Sequence, residues 1–218
     1  MKKFFALVLA LVMALSLVAC GDKASDEGQT NTDGDTTNQT SGETIRIGIA
    51  APLTGTSAAY GELMVDGAQI AIDEVNANGG VNGKMLELVK MDDKNDPSEA
   101  ALVAQRFCDD DTITAVIAHG GSTNTLAGAP IYEAAGMPFI GPSSNHPTLT
   151  ELGYEYFVRL GLRDDRCGNQ VVAMIVNNLG IKKLGVIYAN NDYGVGNLEA
   201  ATAAATSLGA EVVDSETY

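Results

Sequence analysis

The chain has 218 residues and a formal net charge of −15, with 13 basic residues against 28 acidic ones. Such a surface repels nucleic-acid phosphates and anionic lipid headgroups, so we expect no nucleic-acid partner. Hydrophobic residues make up 45% of the sequence, which is ordinary for a globular protein, and the length suits one or two domains.

The N-terminus has the pattern of a lipoprotein signal. Lys2 and Lys3 precede an apolar run that ends at Ala19 and is short for a membrane span. The run ends in Leu-Val-Ala before Cys20, which is typical of a bacterial lipobox. We predict a signal peptide over residues 1–19 and acylation of Cys20, which anchors the protein on the extracytoplasmic face of the cell membrane. The alternative is an ordinary signal peptide in which Cys20 occurs by chance.

Residues 20–43 contain almost nothing apolar after the cysteine. Because such a segment cannot bury enough surface to fold, we predict a disordered tether. A tether of this length favours a Gram-positive lipoprotein.

The remaining chain alternates between strand and helix patterns. Strands are predicted at 45–50, 85–90, 113–118, 138–140, 156–160, 183–188 and 211–218. Helices are predicted at 61–76, 96–108, 164–178 and 193–208, and a further helix around Pro130 is either kinked there or begins near Ala129. The alternation predicts an α/β fold with a doubly wound parallel sheet. Because the last strand has no closing helix, we expect a truncated chain.

Two polar turns follow predicted strands. The first contains Ser122, Thr123 and Asn124, and the second contains Ser143, Ser144 and Asn145. Since the carboxyl ends of parallel strands share one edge of a sheet, we expect both turns to face one small polar ligand. Ser122 follows Gly-Gly at a strand-to-helix turn, where free N–H groups favour an anion. The alternative for Ser122 is a plain N-cap.

Tyr60 and Tyr193 each follow a strand-end loop and precede a glycine. Either ring is an ordinary half-buried tyrosine or the wall of a pocket.

No motif for catalysis or for a cofactor is present in the sequence. The dinucleotide fingerprint, the Walker loop and the nucleophile elbow are all missing, so we predict neither an enzyme nor a cofactor. Cys108 and Cys167 lack metal-ligand spacing, although a disulfide between them is possible, and no metal site is predicted. His119 is interpreted as structural, and Asp92 and Asp93 as a solvated strand end.

Several short motifs together resemble a known family. They are 51–55 with 59–61, 72–76 with 79–83, Asp92-Asp93 with Asp96-Pro97, Ser122, 129–133 with 136–138, Pro142-Ser143 with Pro147, Arg159, and 192–194. As a set they resemble the leucine/isoleucine/valine-binding type of ABC-transporter substrate-binding protein, which has a type I periplasmic-binding fold. The resemblance covers residues 44–218. It implies two lobes joined by a hinge: an N-terminal lobe over 44–162, and the first, incomplete part of a C-terminal lobe over 163–218.

The resemblance also implies a role for each of five residues. The hydroxyl and N–H of Ser122 would take the α-carboxylate of an amino acid, and the carbonyl of Ser143 would accept from its α-ammonium. Asn145 stands where the family usually has a threonine that contacts polar groups of the ligand. Tyr60 would line the side-chain pocket from the first lobe, and Tyr193 would close it from the second. The acidic residue that neutralises the ammonium would lie beyond residue 218.

These observations predict an extracytoplasmic solute-binding lipoprotein of an ABC importer. Its ligand would be a branched-chain or other small amino acid, its partners would be the permease subunits, and we expect a monomer. One alternative is the ligand-sensing domain of a signalling receptor, and another is a protein that binds an amide or urea-type solute.

Overall fold

The computed structural model describes residues 44–218, and the predicted signal peptide, Cys20 and tether lie outside the described residues. The strands are β1 (Ile45–Ala51), β2 (Leu86–Asp92), β3 (Ile113–Ile117), β4 (Phe139–Gly141), β5 (Phe157–Arg159), β6 (Lys183–Tyr188) and β7 (Glu211–Thr217). The helices are α1 (Ala58–Ala77), α2 (Pro97–Cys108), α3 (Ser122–Ala135), α4 (Asp164–Ala173) and α5 (Asp192–Ser207). A 3₁₀ turn spans Pro147–Thr150, and a π-helical turn, Met174–Asn178, extends α4.

The first five strands form one sheet in the order β2-β1-β3-β4-β5, and every neighbouring pair is parallel. The predicted parallel α/β architecture is therefore confirmed. The strand order changes direction at β1, which pairs with β2 on one side and β3 on the other. Such a switch point leaves a crevice outside the carboxyl ends of the strands.

A second sheet consists of β6 and β7, which are also parallel. Helices α4 and α5 pack against each other, and α5 also contacts α3 of the first sheet. The predicted lobe boundary between residues 162 and 163 lies between β5 of the first sheet and α4. The boundary itself stays a prediction.

The core of the first sheet lies between one face of the sheet and the helices α2 and α3. Phe107, Tyr132 and Phe139 are completely buried there. The rings of Tyr132, Phe139 and Phe157 follow one another with centroids 4.9 Å apart at each step. This aromatic series packs α3, which begins at the first polar turn, against β4, which ends at the second, and against β5.

Two helix boundaries differ from the sequence-based expectation. Helix α1 begins at Ala58 rather than Gly61, because the N–H groups of Tyr60 and Gly61 already bond to the carbonyl of Ser57. Helix α3 is continuous across Pro130, so a helix beginning near Ala129 was the wrong interpretation. Pro130 is exposed, and a proline ring on the solvent side removes one N–H without disturbing the buried face.

Within residues 44–218, no helix combines the length and the apolar character that crossing a bilayer requires.

Candidate ligand-binding site

A cavity of about 340 Å³ lies at the carboxyl ends of the strands. Its walls come from the loops or first helical turns after β1, β2, β3, β4 and β6, so both sheets contribute. The lining residues are Tyr60, Asn95, Gly120, Gly121, Ser122, Thr123, Asn124, Ser143, Asn145, Asn191 and Tyr193. All five residues predicted to contact a ligand are among them. Their individual contacts with a ligand stay predictions.

Ser122 is the first residue of α3 and is almost fully buried. The N-cap position is Gly121, and no side chain caps this helix end, so the plain N-cap interpretation of Ser122 is wrong. The Ser122 Oγ accepts a 3.2 Å hydrogen bond from the N–H of His146. Its own hydroxyl proton remains available to donate, and the N–H groups of a first helical turn have no intrahelical partner. This geometry suits an anionic group.

Ser143 and Asn145 line the cavity, as predicted, whereas Ser144 does not. Ser144 is completely buried, and its Oγ shares a hydrogen bond with the Oγ1 of Thr125. The expectation that Ser144 faces a ligand was therefore wrong, because it joins the second turn to α3. The Oγ of Ser143 and the Oδ1 of Asn145 are buried without a hydrogen-bond partner.

The two tyrosines occupy matching positions at the cavity. Tyr60 lies in the first turn of α1 and Tyr193 in the first turn of α5, and the two residues are 42% and 44% exposed. Each is followed by a glycine that lies against the backbone. A Cβ on Gly61 would overlap the carbonyl oxygen of Pro52, and a Cβ on Gly194 would overlap the backbone of the loop after β6. The glycines thus let each helix begin close to its strand end, where the tyrosine reaches the cavity.

Sequence reasoning missed two further asparagines in the lining, Asn95 and Asn191. Asn95 has a left-handed backbone (φ 55°), and its N–H donates to Asp93 Oδ1 at 3.0 Å. The side chain of Asn191 caps α5 by accepting from the N–H of Gly194 at 2.9 Å. Asn191 could have been found from its place between β6 and α5, which corresponds to the place of Gly121 between β3 and α3.

A buried hydrogen bond between a carboxyl group and an imidazole ring lies behind the first polar turn. Asp93 and His119 are both completely buried, and Asp93 Oδ2 lies 2.8 Å from His119 Nδ1. The structural interpretation of His119 is confirmed, since it does not line the cavity. The interpretation of Asp93 as part of a solvated strand end was wrong.

The side chain of Asp92 also forms hydrogen bonds within the fold and is not simply solvated. It accepts from the N–H of Leu53 at 2.8 Å and from the hydroxyl of Thr54. Burial alone would raise the pKa of Asp92, but hydrogen bonds from Thr54, Lys94 and Leu53 outweigh burial and lower it. Asp92 therefore holds the loop after β1 against the end of β2.

The two sheets are linked beside the cavity by hydrogen bonds. The N–H of Asp192 donates to Thr123 Oγ1 at 3.1 Å, and the N–H of Asp164 donates to the carbonyl of Asn145 at 3.0 Å. Within the first sheet, Arg159 donates to the carbonyl of His146 at 3.0 Å, which holds the second polar turn against β5. Asp164 itself is nearly buried, and this burial raises its pKa.

Cys108 and Cys167 carry free thiols, so the possible disulfide does not form. Over residues 44–218, no group of three or more potential ligands is arranged to hold a metal ion.

The chain is similar to a known protein family and to several known proteins. A family model described as "Periplasmic binding protein" matches residues 44–218. An amino acid binding protein of Pseudomonas aeruginosa is 40% identical over 169 residues, covering 78% of this chain and 45% of that protein. A leucine-, isoleucine-, valine-, threonine-, and alanine-binding protein of the same species is 36% identical over 154 residues, covering 71% and 41%.

Among solved structures, an ABC transporter substrate-binding protein from Desulfitobacterium hafniense in complex with Leu has 33% identity and a TM-score of 0.70. The match covers 81% of this chain and 51% of that one. The chain spans about half the length of the relatives it matches. The resemblance found in the sequence and the type I periplasmic-binding fold are both confirmed.

Proposed function

This chain belongs to the periplasmic binding protein family, and we propose on that basis that it is the solute-binding protein of an ABC importer. The ligand would be a small amino acid, of the branched-chain or a related class, held between two lobes. The observation that carries this proposal is the common cavity. Ser122, Ser143, Asn145, Tyr60 and Tyr193, predicted as contacts before any geometry was known, line it together.

The proposed contacts follow from the chemistry of the walls. Ser122 and the free N–H groups at the start of α3 would bind the α-carboxylate of the ligand. The Ser143 carbonyl and the Asn145 side chain would accept hydrogen bonds from the α-ammonium. Tyr60 and Tyr193 would enclose the ligand from the first and second lobe.

Ligand binding would proceed by closure of the two lobes about the segment between β5 and α4. A ligand that contacts both lobes stabilises the closed state by its extra contacts there, and this difference in affinity drives closure. The proposed lobes are residues 44–162 and the segment that begins at 163. The hydrogen bond that the N–H of Asp192 donates to Thr123 Oγ1 beside the cavity, at 3.1 Å, would belong to the contact between the lobes.

Family membership places the protein outside the cytoplasm. We propose further that Cys20 carries a lipid anchor in the cell membrane, that residues 21–43 tether the folded part, and that the protein is a monomer when it meets its permease.

The central experiment is Ser122→Ala in the whole protein, with calorimetry against the amino acid that binds best. Loss of a buried hydrogen bond to a charged group costs about 1–3 kcal/mol, so the dissociation constant should rise roughly 5- to 150-fold. The matched control is Ser207→Ala, which removes a hydroxyl bonded only to the carbonyl of Ala204. If Ser122→Ala binds as tightly as the control, Ser122 is not part of the site. If no amino acid binds the unaltered protein, the proposed function is wrong.

A further inference from the structure

Two acidic residues are buried in the part of the chain that spans residues 44–218, Asp93 and Asp164. Both carboxyl oxygens of Asp93 have partners, since Oδ1 accepts from the N–H of Asn95 at 3.0 Å and Oδ2 lies 2.8 Å from His119 Nδ1. Asp164 is 2% exposed, and its Oδ2 has no hydrogen-bond partner. A buried carboxylate oxygen without a donor destabilises the fold, whereas a protonated carboxyl group carries no charge. The surroundings therefore account for a charge on Asp93 and not for one on Asp164.

The two arginines closest to Asp164 in the sequence bond to other groups. Arg159 donates to the carbonyl of His146 at 3.0 Å. Arg163 donates to both carboxylate oxygens of Asp165 at 3.0 Å. Neither guanidinium group therefore supplies the missing partner of Asp164 Oδ2.

Asp164 connects two residues of the cavity wall without lining the cavity itself. Its N–H donates to the carbonyl of Asn145 at 3.0 Å, and its carboxyl group is hydrogen-bonded to the side chain of Asn197 on α5. Asn197 Nδ2 in turn donates to the carbonyl of Tyr193 at 2.8 Å. Asn145 belongs to the proposed first lobe and Tyr193 to the second. A single chain of hydrogen bonds through Asp164 thus joins the two sides of the cavity.

The groups that face Asp164 also come from both proposed lobes. His146 and Arg159 belong to the first, and Asn197 belongs to the second. The two lobes are in close contact here, because a Cβ on Gly196 of α5 would crowd the ring of His146. Opening the lobes would separate these groups and admit water to the carboxyl group. The burial of Asp164 is therefore a property of the closed arrangement.

The surroundings of Asp164 favour its protonated form. Burial raises the pKa of Asp164, and the neighbouring charge of Asp165 also raises it. The hydrogen bond from Asn197 and the attraction of His146 and Arg159 lower the pKa but do not outweigh burial. In an open, hydrated arrangement we expect the ordinary pKa of 3.8.

We propose that Asp164 is a positioning residue for ligand binding, and that it takes up a proton when the two lobes close on the ligand. With the proton, closure buries an uncharged carboxyl group and completes the link between Asn145 and Tyr193. Without the proton, closure buries a carboxylate oxygen that has no partner. The inference rests on the proposed function, and it adds a proton to the binding reaction.

The direction of the pH dependence follows from the raised pKa of the closed form. Below pH 3.8 the open and the closed protein both hold the proton, and the ligand binds most tightly. As the pH rises through the pKa of the closed form, closure must be accompanied by proton uptake, and the affinity falls. Above that pKa the affinity is lowest and constant.

The test is calorimetry of the whole protein with leucine, isoleucine, valine, threonine and alanine as the probes. Each titration is repeated in buffers with different ionisation enthalpies, because the difference in heat counts the protons that binding takes up. We expect uptake of up to about one proton near pH 4.5. One pKa unit between the open and the closed protein corresponds to a tenfold change in Kd, so Kd should be about two- to tenfold higher near pH 7.5 than near pH 4.5.

Three variants assign the proton. Asp164→Asn keeps the shape of the side chain and cannot titrate, so it should bind without proton uptake and with the same Kd at both pH values. The matched control is Asp165→Asn, the same change at a partly exposed carboxylate paired with Arg163, which should keep the uptake. His146→Asn removes the other titrating group of the second polar turn but retains an acceptor for the N–H of Thr148, and it should also keep the uptake.

Two results overturn the inference while the amino-acid-binding function stands. One is a probe that binds the unaltered protein without proton uptake near pH 4.5. The other is uptake that survives Asp164→Asn or disappears in His146→Asn, since the proton then belongs to another group. The variant His146→Asn decides the question if Asp164→Asn fails to fold. If none of the probes binds the unaltered protein, the proposed function is wrong and the inference fails with it.

Discussion

The buried hydrogen bond between Asp93 and His119 should be one of the main stabilising contacts of the first sheet. Asp93→Ala removes the carboxylate and leaves a fully buried His119 ring without its 2.8 Å partner. The N–H of Asn95 loses its acceptor in the same step. Asn95 lines the cavity, and His119 directly precedes Gly120, which also lines it, so the damage should reach the site.

The size of the expected loss of stability follows from the burial of both side chains. Removing one partner of a buried hydrogen bond costs about 1–3 kcal/mol, because the remaining polar group is left without a partner. For 150–250 residues, each kcal/mol lowers the melting temperature by about 2–4 °C, so Asp93→Ala should lower it by roughly 2–12 °C. The control is Glu211→Ala, which breaks a 3.8 Å pair with Lys183 in which both side chains are more than half exposed. It should leave the melting temperature unchanged.

Thermal and urea unfolding, followed by circular dichroism, measure both variants. A double-mutant cycle with His119→Ala isolates the pair, and the double variant should lose at least about 1 kcal/mol less than the two single variants together. Additive losses, or a loss below about 1 kcal/mol for Asp93→Ala, would show that the pair does not stabilise the fold.

Two further predictions concern Asp164 and the glycines beside the tyrosines. Because burial raises the pKa of Asp164, the folded chain holds this proton more tightly than the unfolded chain, and ionisation opposes folding. Asp164→Asn should therefore raise the melting temperature at pH 7. The gain should shrink below pH 3.8, where the folded and the unfolded chain both keep the proton. An equal gain at all pH values would contradict this prediction. Gly61→Ala and Gly194→Ala should each destabilise the protein by about 1–3 kcal/mol, since each new Cβ overlaps backbone. Urea midpoints equal to those of the unaltered protein would contradict the close approach.

The alternation of strands and helices and the position of the cavity could be predicted because both depend on local patterns. The hydrophobic periodicity predicted the strands and helices. Because the carboxyl ends of parallel strands share one edge of a sheet, Ser122, Ser143 and Asn145 could be placed together there. The direction in which a turn residue points could not be predicted in the same way. Ser144 is adjacent to two cavity residues, yet it bonds inward to Thr125, a contact that only the packed fold creates.

Contacts between distant segments also could not be read from the sequence. Asp93 and His119 are 26 residues apart, and nothing in either neighbourhood signals the other. Asn95 and Asn191 come from the loops after β2 and β6, which meet only because two separate sheets share the cavity. Predicting these members of the wall required the relative placement of both sheets, which depends on long-range packing.

The charge of the sequence and the charge preference of the cavity are independent properties. The net charge of −15 governs solubility and repulsion of polyanions. Two helices, α3 and α5, begin at the cavity with Ser122 and Asp192, and the N–H of Asp192 donates to Thr123 in the first turn of the other helix. Helix N-termini carry a partial positive charge that falls off within one turn, so they act on a ligand in the cavity and hardly at all on the surface. An acidic protein can therefore bind a carboxylate here, because the backbone supplies the attraction.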